Sequence, residues 1–280
     1  MALNRLSRQL RGFYDSAKAA YMLESGFDVP PRYRSAFVHL GGSSEVQYLY
    51  RHFVASVSPG SRILIVGVMG GRDYFLFKNL GFEVTAVDLG PQPDIAPIVL
   101  ANVEQPLPFD NGHFDVVLAG EVLEHLREDV QALLNIRRVL RDDGRLIVSL
   151  PFFNDWEEGH MRVHSPRSGG RLLAMAGFTI LDFVERPAIV NPTWLNYPIH
   201  ALSSASLRLR GRTLYGATTS AYGRFALALG RQRFWRPLRR RSPHYGGYYL
   251  CAKAVDLLDH IGLNRQLYTD SDARSDSLGG

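Results

Sequence analysis

Cysteine is nearly absent from this sequence, since Cys251 is the single one among 280 residues. One cysteine cannot form an internal disulfide, so nothing requires an oxidising compartment. Long apolar runs are also missing, because no stretch approaches the roughly 18 apolar residues of a membrane-spanning helix. Arg5, Arg8 and Arg11 are spread along the first residues instead of preceding an apolar core, unlike a secretory signal. We therefore predict a cytoplasmic protein.

Acidic residues are missing from one long part of the chain. Between Pro187 and Val255 there is no Asp or Glu, although ten arginines and Lys253 lie there. The rest of the chain carries 21 basic and 27 acidic residues, out of 32 and 27 in total. A mildly acidic body with one strongly basic segment predicts a core fold that carries a specialised element.

From Arg62 onwards, short apolar runs alternate with connections of helix length. Runs of this kind are typical of a parallel sheet that is buried on both faces. The composition, 46% hydrophobic and 21% charged, is that of a globular protein and excludes disordered, collagen-like and coiled-coil chains. We predict an α/β fold with a doubly wound, Rossmann-like, mostly parallel sheet. N-terminal helices, a basic helical insert and a C-terminal antiparallel edge hairpin complete it.

The chain is predicted to divide into five parts. These are an N-terminal helical segment (1–57), an α/β core (58–186), a basic and aromatic insert (187–246), a returning edge strand (247–256) and a C-terminal tail (257–280). The tail is rich in Ser, Asp and Gly, which predicts disorder.

Two features of the core predict a nucleoside site. A buried strand runs into a turn with Gly67, Gly70 and Gly71, where backbone can approach a ligand and helix N-terminal amides can face it. The next strand ends on Asp88, 21 residues after Gly67, where a carboxylate can accept hydrogen bonds from both ribose hydroxyls. No lysine-bearing phosphate loop is present, so an adenosine cofactor without a critical pyrophosphate fits the pattern.

The segment NVEQPLPFDNGHFDVVLAGEVLEHLREDVQALLNIRRVLRDDGRLIVSLP, residues 102–151, resembles the middle of class I S-adenosylmethionine-dependent methyltransferases. The similarity is to the broad type 11-like subgroup that includes the ubiquinone-biosynthesis enzymes. It runs over residues 63–151 and continues more weakly to Phe178. The resemblance implies S-adenosylmethionine as the cofactor of the 58–186 core and methyl transfer as its reaction.

The resemblance also implies a role for each part of the cofactor site. The implied binding residues are Gly67, Val68 and Gly71 around the methionine part, Asp88 at the ribose, Asn102, Val103 and Glu104 beside the adenine, and Gly120 and Glu121 facing the methionine end and the acceptor. Three positions depart from the family's pattern. Met69 replaces its central glycine, Ile65 an acidic residue, and Asn102 the acidic residue at the adenine. An inactive cofactor-binding module therefore stays open.

Methyl transfer is an in-line displacement that needs alignment, exclusion of water and, for a hydroxyl acceptor, removal of a proton. Histidine is the usual base near neutral pH. We rank His160 and His164 equally, ahead of His125. No metal site is predicted, because no defined ligand spacing is matched by the cluster of Glu157, Glu158, His160 and His164.

The basic insert interleaves ten arginines with ten aromatic residues up to Tyr249. Three uses stay open: a lid that binds a sugar or glycolipid headgroup, an interfacial element on an anionic membrane, or a nucleic-acid surface. Nucleic acid is not the predicted partner. Lysine is nearly absent among these cations, which favours specific planar contacts over a general electrostatic surface. A solvated excursion or a contact in an oligomer is the fourth alternative. We predict O-methylation of a small molecule, saccharide or lipid-linked glycan; an RNA methyltransferase is the rival enzyme.

Overall fold

A computed structural model describes residues 2–39, 42–68, 70–154, 157–186, 193–232 and 245–254. Several predicted features lie outside these residues. They are Met69 in the glycine turn, both ends of the basic insert (187–192 and 233–244, including Arg239, Arg240 and Arg241), and the tail from residue 257.

Seven strands form one sheet in the order β3-β2-β1-β4-β5-β7-β6. The strands are β1 Arg62–Val66, β2 Glu83–Asp88, β3 Ile98–Leu100, β4 Phe114–Gly120, β5 Leu140–Pro151, β6 Phe178–Glu185 and β7 Gly246–Lys253. The first five are parallel, and β7 lies antiparallel between β5 and β6. The predicted fold class is confirmed. Within the C-terminal hairpin, β6 is the outermost strand and β7 the inner one.

Helices cover both faces of this sheet. They are α1 Ala2–Ser25, α2 Ser35–Val38, α3 Gly42–Phe53, α4 Arg72–Asn79, α5 Asp129–Val139, α6 Pro166–Met175, α7 Thr193–Arg210 and α8 Tyr215–Gly230, with 3-10 turns at Pro31–Tyr33 and Leu123–His125. Ile63 and Ile65 of β1 belong to a core with α3 and α4, whereas Leu64 and Val66 belong to a core with α5 and α6. Because strand residues alternate between faces, a strand covered on both sides must be apolar on both, as β1 is from Ile63 to Val66 after the partly exposed Arg62.

Two helix boundaries differ from the sequence prediction. The sequence pattern predicts a helix from about Leu126 to Leu140, but Leu123–His125 forms a 3-10 turn and α5 begins at Asp129. Apolar residues at helical spacing also predict a second N-terminal helix from Ser44 to Val57, capped by Ser43 or Ser44. This helix spans Gly42–Phe53, and the Ser44 hydroxyl donates to the His39 carbonyl at 2.7 Å.

The described helices of the insert pack on the N-terminal helices. α8 contacts α3, and α7 contacts α1. The α8–α3 contact is close, because a Cβ on Gly223 would collide with the Tyr48 side chain. Within the described ranges, none of the helices is sufficiently long and apolar to cross a membrane.

Candidate functional site

The implied cofactor residues converge at the carboxyl-terminal edge of the sheet. Strand β1 lies between β2 and β4, so the residues that follow or end these strands, Gly67, Asp88 and Gly120, are neighbours in space. The Gly67 N–H donates to the Val87 carbonyl at 2.8 Å, which ties the turn to β2. This edge is where parallel α/β sheets bind ligands.

The turn after β1 requires glycine at two positions. Gly67 and Gly71 have φ values of +73° and +61°, in the left-handed region that side chains disfavour. A Cβ on Gly67 would lie 2.7 Å from Val122 Cγ2, and one on Gly71 would collide with the Tyr33 ring. The turn is therefore a backbone cradle between the N-terminal segment and the residues after β4.

Asp88 faces this cradle with a fixed carboxylate. Its Oδ2 accepts a hydrogen bond from the Val68 N–H at 2.9 Å, and its Oδ1 accepts one from the Gly90 N–H at 3.3 Å. A carboxylate oxygen can accept two hydrogen bonds, so each retains capacity for a hydroxyl donor. This geometry suits a ribose whose two hydroxyls point at Asp88.

The segment after β3 adjoins the same edge but is largely engaged with protein. The Asn102 Oδ1 accepts the Glu104 N–H at 2.9 Å. The Glu104 Oε1 accepts the N–H groups of Arg127 and Glu128 at 2.8 and 2.7 Å. These bonds, first the one from Glu128, lower the pKa of Glu104. Glu104 therefore anchors the approach to α5.

Val103 is also committed to packing. Its side chain is buried, and its carbonyl accepts a hydrogen bond from Asn135 Nδ2 of α5 at 2.9 Å. Asn102 remains the residue nearest the cofactor edge, because Ala101 just before it donates its N–H to the Asp88 carbonyl at 3.1 Å.

Glu121, after β4, forms an ion pair that the sequence did not reveal, with its own side chain 40% exposed and that of Arg186 16% exposed. Its Oε1 lies 2.7 Å from Arg186 Nη2, and the Arg186 guanidinium lies 5.2 Å from the centre of the Tyr248 ring. Burial alone raises the pKa of Glu121, but the Arg186 charge outweighs burial and the pKa is lowered. The carboxylate is thus held ionised and oriented.

Glu45 of α3 is a second carboxylate in this region, and its side chain is buried. Burial raises its pKa to about 8, against the opposing charge of Arg186 and a hydrogen bond from Tyr248. It reaches the site because α3 packs over this end of the sheet. No local sequence signal marks it, since its neighbours come from residues far along the chain.

The predicted histidines fall into a pair and a single residue. The His125 and His160 rings are 4.8 Å apart, in an edge-to-face arrangement. They meet because the loop after β5 is bound to the 3-10 turn: the Met161 N–H donates to the Glu124 carbonyl at 2.7 Å. His164 is buried apart from this pair, and burial lowers its pKa.

Glu124 lies beside the histidine pair and is the most unusual group of the site. Its side chain is 1% exposed, and Oε1 is 4.0 Å from His125 Nε2. Burial raises its pKa to about 8, and the negative charge of Glu121 adds to the effect. The sequence carries a signal for it: EVLEHL places Glu121, Glu124 and His125 on one short segment, although the sequence analysis names only Glu121 and His125.

Comparison with known proteins gives the family context. Residues 64–148 match the family described as a methyltransferase domain. The 2-methyl-6-phytyl-1,4-hydroquinone methyltransferase of Synechocystis is 29% identical over 37% of this chain and 34% of its own. The ubiquinone/menaquinone biosynthesis C-methyltransferase UbiE of Laribacter hongkongensis is 30% identical over 41% of this chain and 53% of its own. The ubiquinone biosynthesis O-methyltransferase of Schizosaccharomyces pombe is 28% identical over 41% of this chain and 47% of its own. The chain thus spans about half or less of the curated relatives it matches.

Solved structures extend the similarity beyond this segment. The [4+2]-cyclase SpnF has a TM-score of 0.50 and 18% identity, covering 78% of this chain and 89% of its own. The 1,6-didemethyltoxoflavin-N1-methyltransferase of Burkholderia thailandensis has a TM-score of 0.49 and 19% identity, covering 76% of this chain and 79% of its own. The likeness to the cyclase shows the fold alone.

Proposed function

We propose that the chain moves a methyl group from S-adenosylmethionine to a hydroxyl oxygen of a small molecule, starting from the match of residues 64–148 to a methyltransferase domain. The observation that carries the proposal is the cradle at Gly67 and Gly71, closed by the Asp88 carboxylate. A glycine turn at the end of one parallel strand, with a carboxylate at the end of the next strand, lets backbone approach an amino acid tail and offers acceptors to a ribose.

In this assignment Gly67, Val68 and Gly71 hold the methionine part, Asp88 holds the ribose and Asn102 borders the adenine. When bound, the cofactor supplies an activated methyl group. The chain's task is to align the acceptor and exclude water. Glu104 is assigned a supporting role, because its carboxylate already accepts two backbone N–H groups.

The acceptor is proposed to bind beside Glu121, Glu124 and the histidine pair. Arg186 fixes the Glu121 carboxylate at 2.7 Å, so it can orient a hydroxyl group by accepting its hydrogen bond. An acceptor hydroxyl must lose its proton as the new bond forms, and the sequence assigned that step to a histidine. His125 is the more exposed of the pair, with 43% of its side chain accessible against 4% for His160.

Two chemical classes of acceptor follow from different observations. The relatives' names point to hydroxylated rings such as a hydroquinone. The acid-free insert with its arginines and aromatic residues favours the saccharide or lipid-linked glycan predicted from the sequence. Both offer a hydroxyl group, and the experiment below separates them.

The test is a labelled-methyl assay on fractionated cell extract, on a hydroquinone and on total RNA, with products identified by mass spectrometry. We expect label in an O-methyl ether of a small molecule. Label on carbon, nitrogen or RNA would contradict the proposed reaction. Saturable cofactor binding with no labelled product in any fraction would identify the chain as an inactive binding module.

A further inference from the structure

We propose that Glu124, His125 and His160 bind a divalent metal ion at the acceptor end of the site. One donor atom of each residue lies within 4.8 Å of the others. The three come from two segments, the 3-10 turn after β4 and the loop after β5. The sequence predicted no metal site, because Glu124 is distant from His160 along the chain and the spacing of His160 with Glu157 and Glu158 matches no ligand pattern.

The histidine rings are oriented as metal ligands usually are. His125 Nδ1 is 2.9 Å from the Gly159 carbonyl, and His160 Nδ1 is 3.3 Å from the Asn154 carbonyl. A carbonyl can only accept, so Nδ1 carries the proton in each neutral ring. The Nε2 lone pairs are then available. A backbone carbonyl that accepts from Nδ1 in this way typically fixes the tautomer of a metal-bound histidine.

Glu124 supplies an independent observation. Its side chain is 1% exposed, and neither carboxylate oxygen has a hydrogen-bond partner among the residues that the structure describes. A buried carboxylate normally has partners, because removing it from water without them is unfavourable. A cation between Glu124 and the two Nε2 atoms would satisfy it.

The surrounding backbone holds the ligands together without any ion. The N–H groups of Met161 and Arg162 both donate to the Glu124 carbonyl, at 2.7 and 3.2 Å. The Arg162 side chain pairs with Asp129 at 3.0 Å. Glu157 borders the cluster, with its Oε2 3.4 Å from His160 Nε2. The loop after β5 is therefore fixed over the 3-10 turn.

The donor set indicates the kind of ion. Two imidazoles and a carboxylate with further positions open suit Mn²⁺, Co²⁺ or Zn²⁺ better than Ca²⁺ or Mg²⁺, which prefer oxygen ligands throughout. The ion would lie close to the cofactor cradle. Val122, directly before the 3-10 turn, is the side chain that a Cβ on Gly67 would meet.

The metal site deepens the proposed function. The role of the ion in the reaction rests on that proposed function. An acceptor hydroxyl bound at an open position of the ion would lose its proton more readily, because the cation stabilises the alkoxide. The proton would leave to water or to a nearby carboxylate. The oxygen would then form a bond to the methyl carbon as the S–CH₃ bond of S-adenosylmethionine breaks, with S-adenosylhomocysteine as the leaving group. The histidines would thereby act as metal ligands instead of as the base, and acceptors with two adjacent hydroxyl groups would be favoured.

The experiment titrates the full chain, stripped with chelator, with CoCl₂ and MnCl₂ in the absence of cofactor. Calorimetry measures stoichiometry, and the visible spectrum of Co²⁺ reports imidazole ligation. We expect one ion per chain. His160→Ala and Glu124→Gln should weaken binding at least about tenfold. His113→Ala, which removes a histidine that stacks on Phe109 outside the cluster, is the matched control and should bind as the unmodified chain does.

Circular dichroism of each variant separates loss of the site from loss of the fold. Absence of saturable binding by the folded, unmodified chain would overturn the proposal, as would His160→Ala binding with unchanged affinity and spectrum. Ion binding without any methyl transfer would retain the metal site and contradict the proposed function. Methyl transfer that persists unchanged after chelation would retain the proposed function and contradict the role of the metal site in it.

Discussion

Asp88 is the single residue on which the cofactor assignment depends most directly. Asp88→Ala should lower the affinity for S-adenosylmethionine at least about tenfold, because each hydrogen bond to a charged group contributes roughly 1.5 to 3 kcal/mol. Calorimetric titration of a folded variant measures this. Glu83→Ala, at the exposed opposite end of the same strand, is the control. Equal affinity of Asp88→Ala and the unmodified chain would remove the ribose assignment.

Asp88 also holds the turn through the Val68 N–H, so part of the effect would be structural. Asp88→Asn distinguishes the two contributions. Its amide oxygen can still accept the Val68 bond, whereas its NH₂ group cannot accept from a hydroxyl. We expect Asp88→Asn to keep most of the stability of the unmodified chain, since it loses only the 3.3 Å bond from the Gly90 N–H, and still to bind the cofactor weakly.

Glu45 provides a prediction about pH and stability. Burial raises its pKa to about 8 from an ordinary 4.5, so the folded chain binds a proton that the unfolded chain has released between these values. The free energy of unfolding therefore falls as pH rises from about 4.5 to 8. Glu45→Gln removes this dependence, and its advantage over the unmodified chain should grow with pH to about 2 to 5 kcal/mol.

Urea unfolding at several pH values across that window measures the difference. Glu83→Gln, which alters an exposed carboxylate of β2, is the control. Parallel stability curves for Glu45→Gln and the unmodified chain would show that Glu45 is ionised in the folded state, and the interpretation would be wrong.

Among the secondary-structure elements, the turn between β1 and α4 allows a paired test within two residues. Gly71→Ala forces a side chain into the left-handed region and against the Tyr33 ring. We expect a loss of about 1 to 3 kcal/mol of stability together with weaker cofactor binding. Gly70→Ala is the control, because its Cβ would meet nothing within 4 Å. Thermal unfolding and calorimetry measure both effects.

Adding Tyr33→Ala to Gly71→Ala separates the two causes. The double variant removes the collision but keeps the strained backbone, so it should recover stability only in part. If Gly71→Ala and Gly70→Ala behave alike, the cradle is not restricted to glycine and the fit to the cofactor loses its basis.

The elements of the core were predictable because their signals are local. The apolar run of β1 and the Asp at the end of β2 depend on nearest neighbours along the chain. The polar cluster of Glu45, Glu121, Glu124 and Arg186 was not predictable. Arg186 reaches Glu121 from 65 positions away, and Glu45 belongs to a different helix. Glu124 is the exception: its spacing from Glu121 and His125 was visible, but burial without partners can only be seen in three dimensions.

Considered as a whole molecule, the chain combines a doubly wound α/β core with an insert whose described helices pack on the N-terminal helices. Some of the insert's positive charge is used internally. Arg208 lies 3.9 Å from the centre of the Phe13 ring, and Arg231 pairs with Asp182 at 2.6 Å. Arginines engaged in this way stabilise the packing of α7 and α8 and are less available to a partner. The partner surface is therefore better sought among the other arginines.

The last prediction concerns Arg239, Arg240 and Arg241, which lie outside the described residues and, along the chain, outside the segment that resembles the cofactor site. Replacing all three by Ala should leave cofactor affinity unchanged. If the insert binds an anionic membrane, each arginine contributes roughly 1 kcal/mol, and binding to phosphatidylserine vesicles should fall about a hundredfold or more and depend on salt. If it binds a discrete sugar or phosphate-bearing acceptor, the Michaelis constant should rise with little change in maximal rate.

Arg208→Ala is the control and should lower stability without altering either measurement, because its contact is internal. Unchanged behaviour of the triple variant in both assays would mean that these charges face solvent or a second copy of the chain, and that specificity lies in the polar cluster alone.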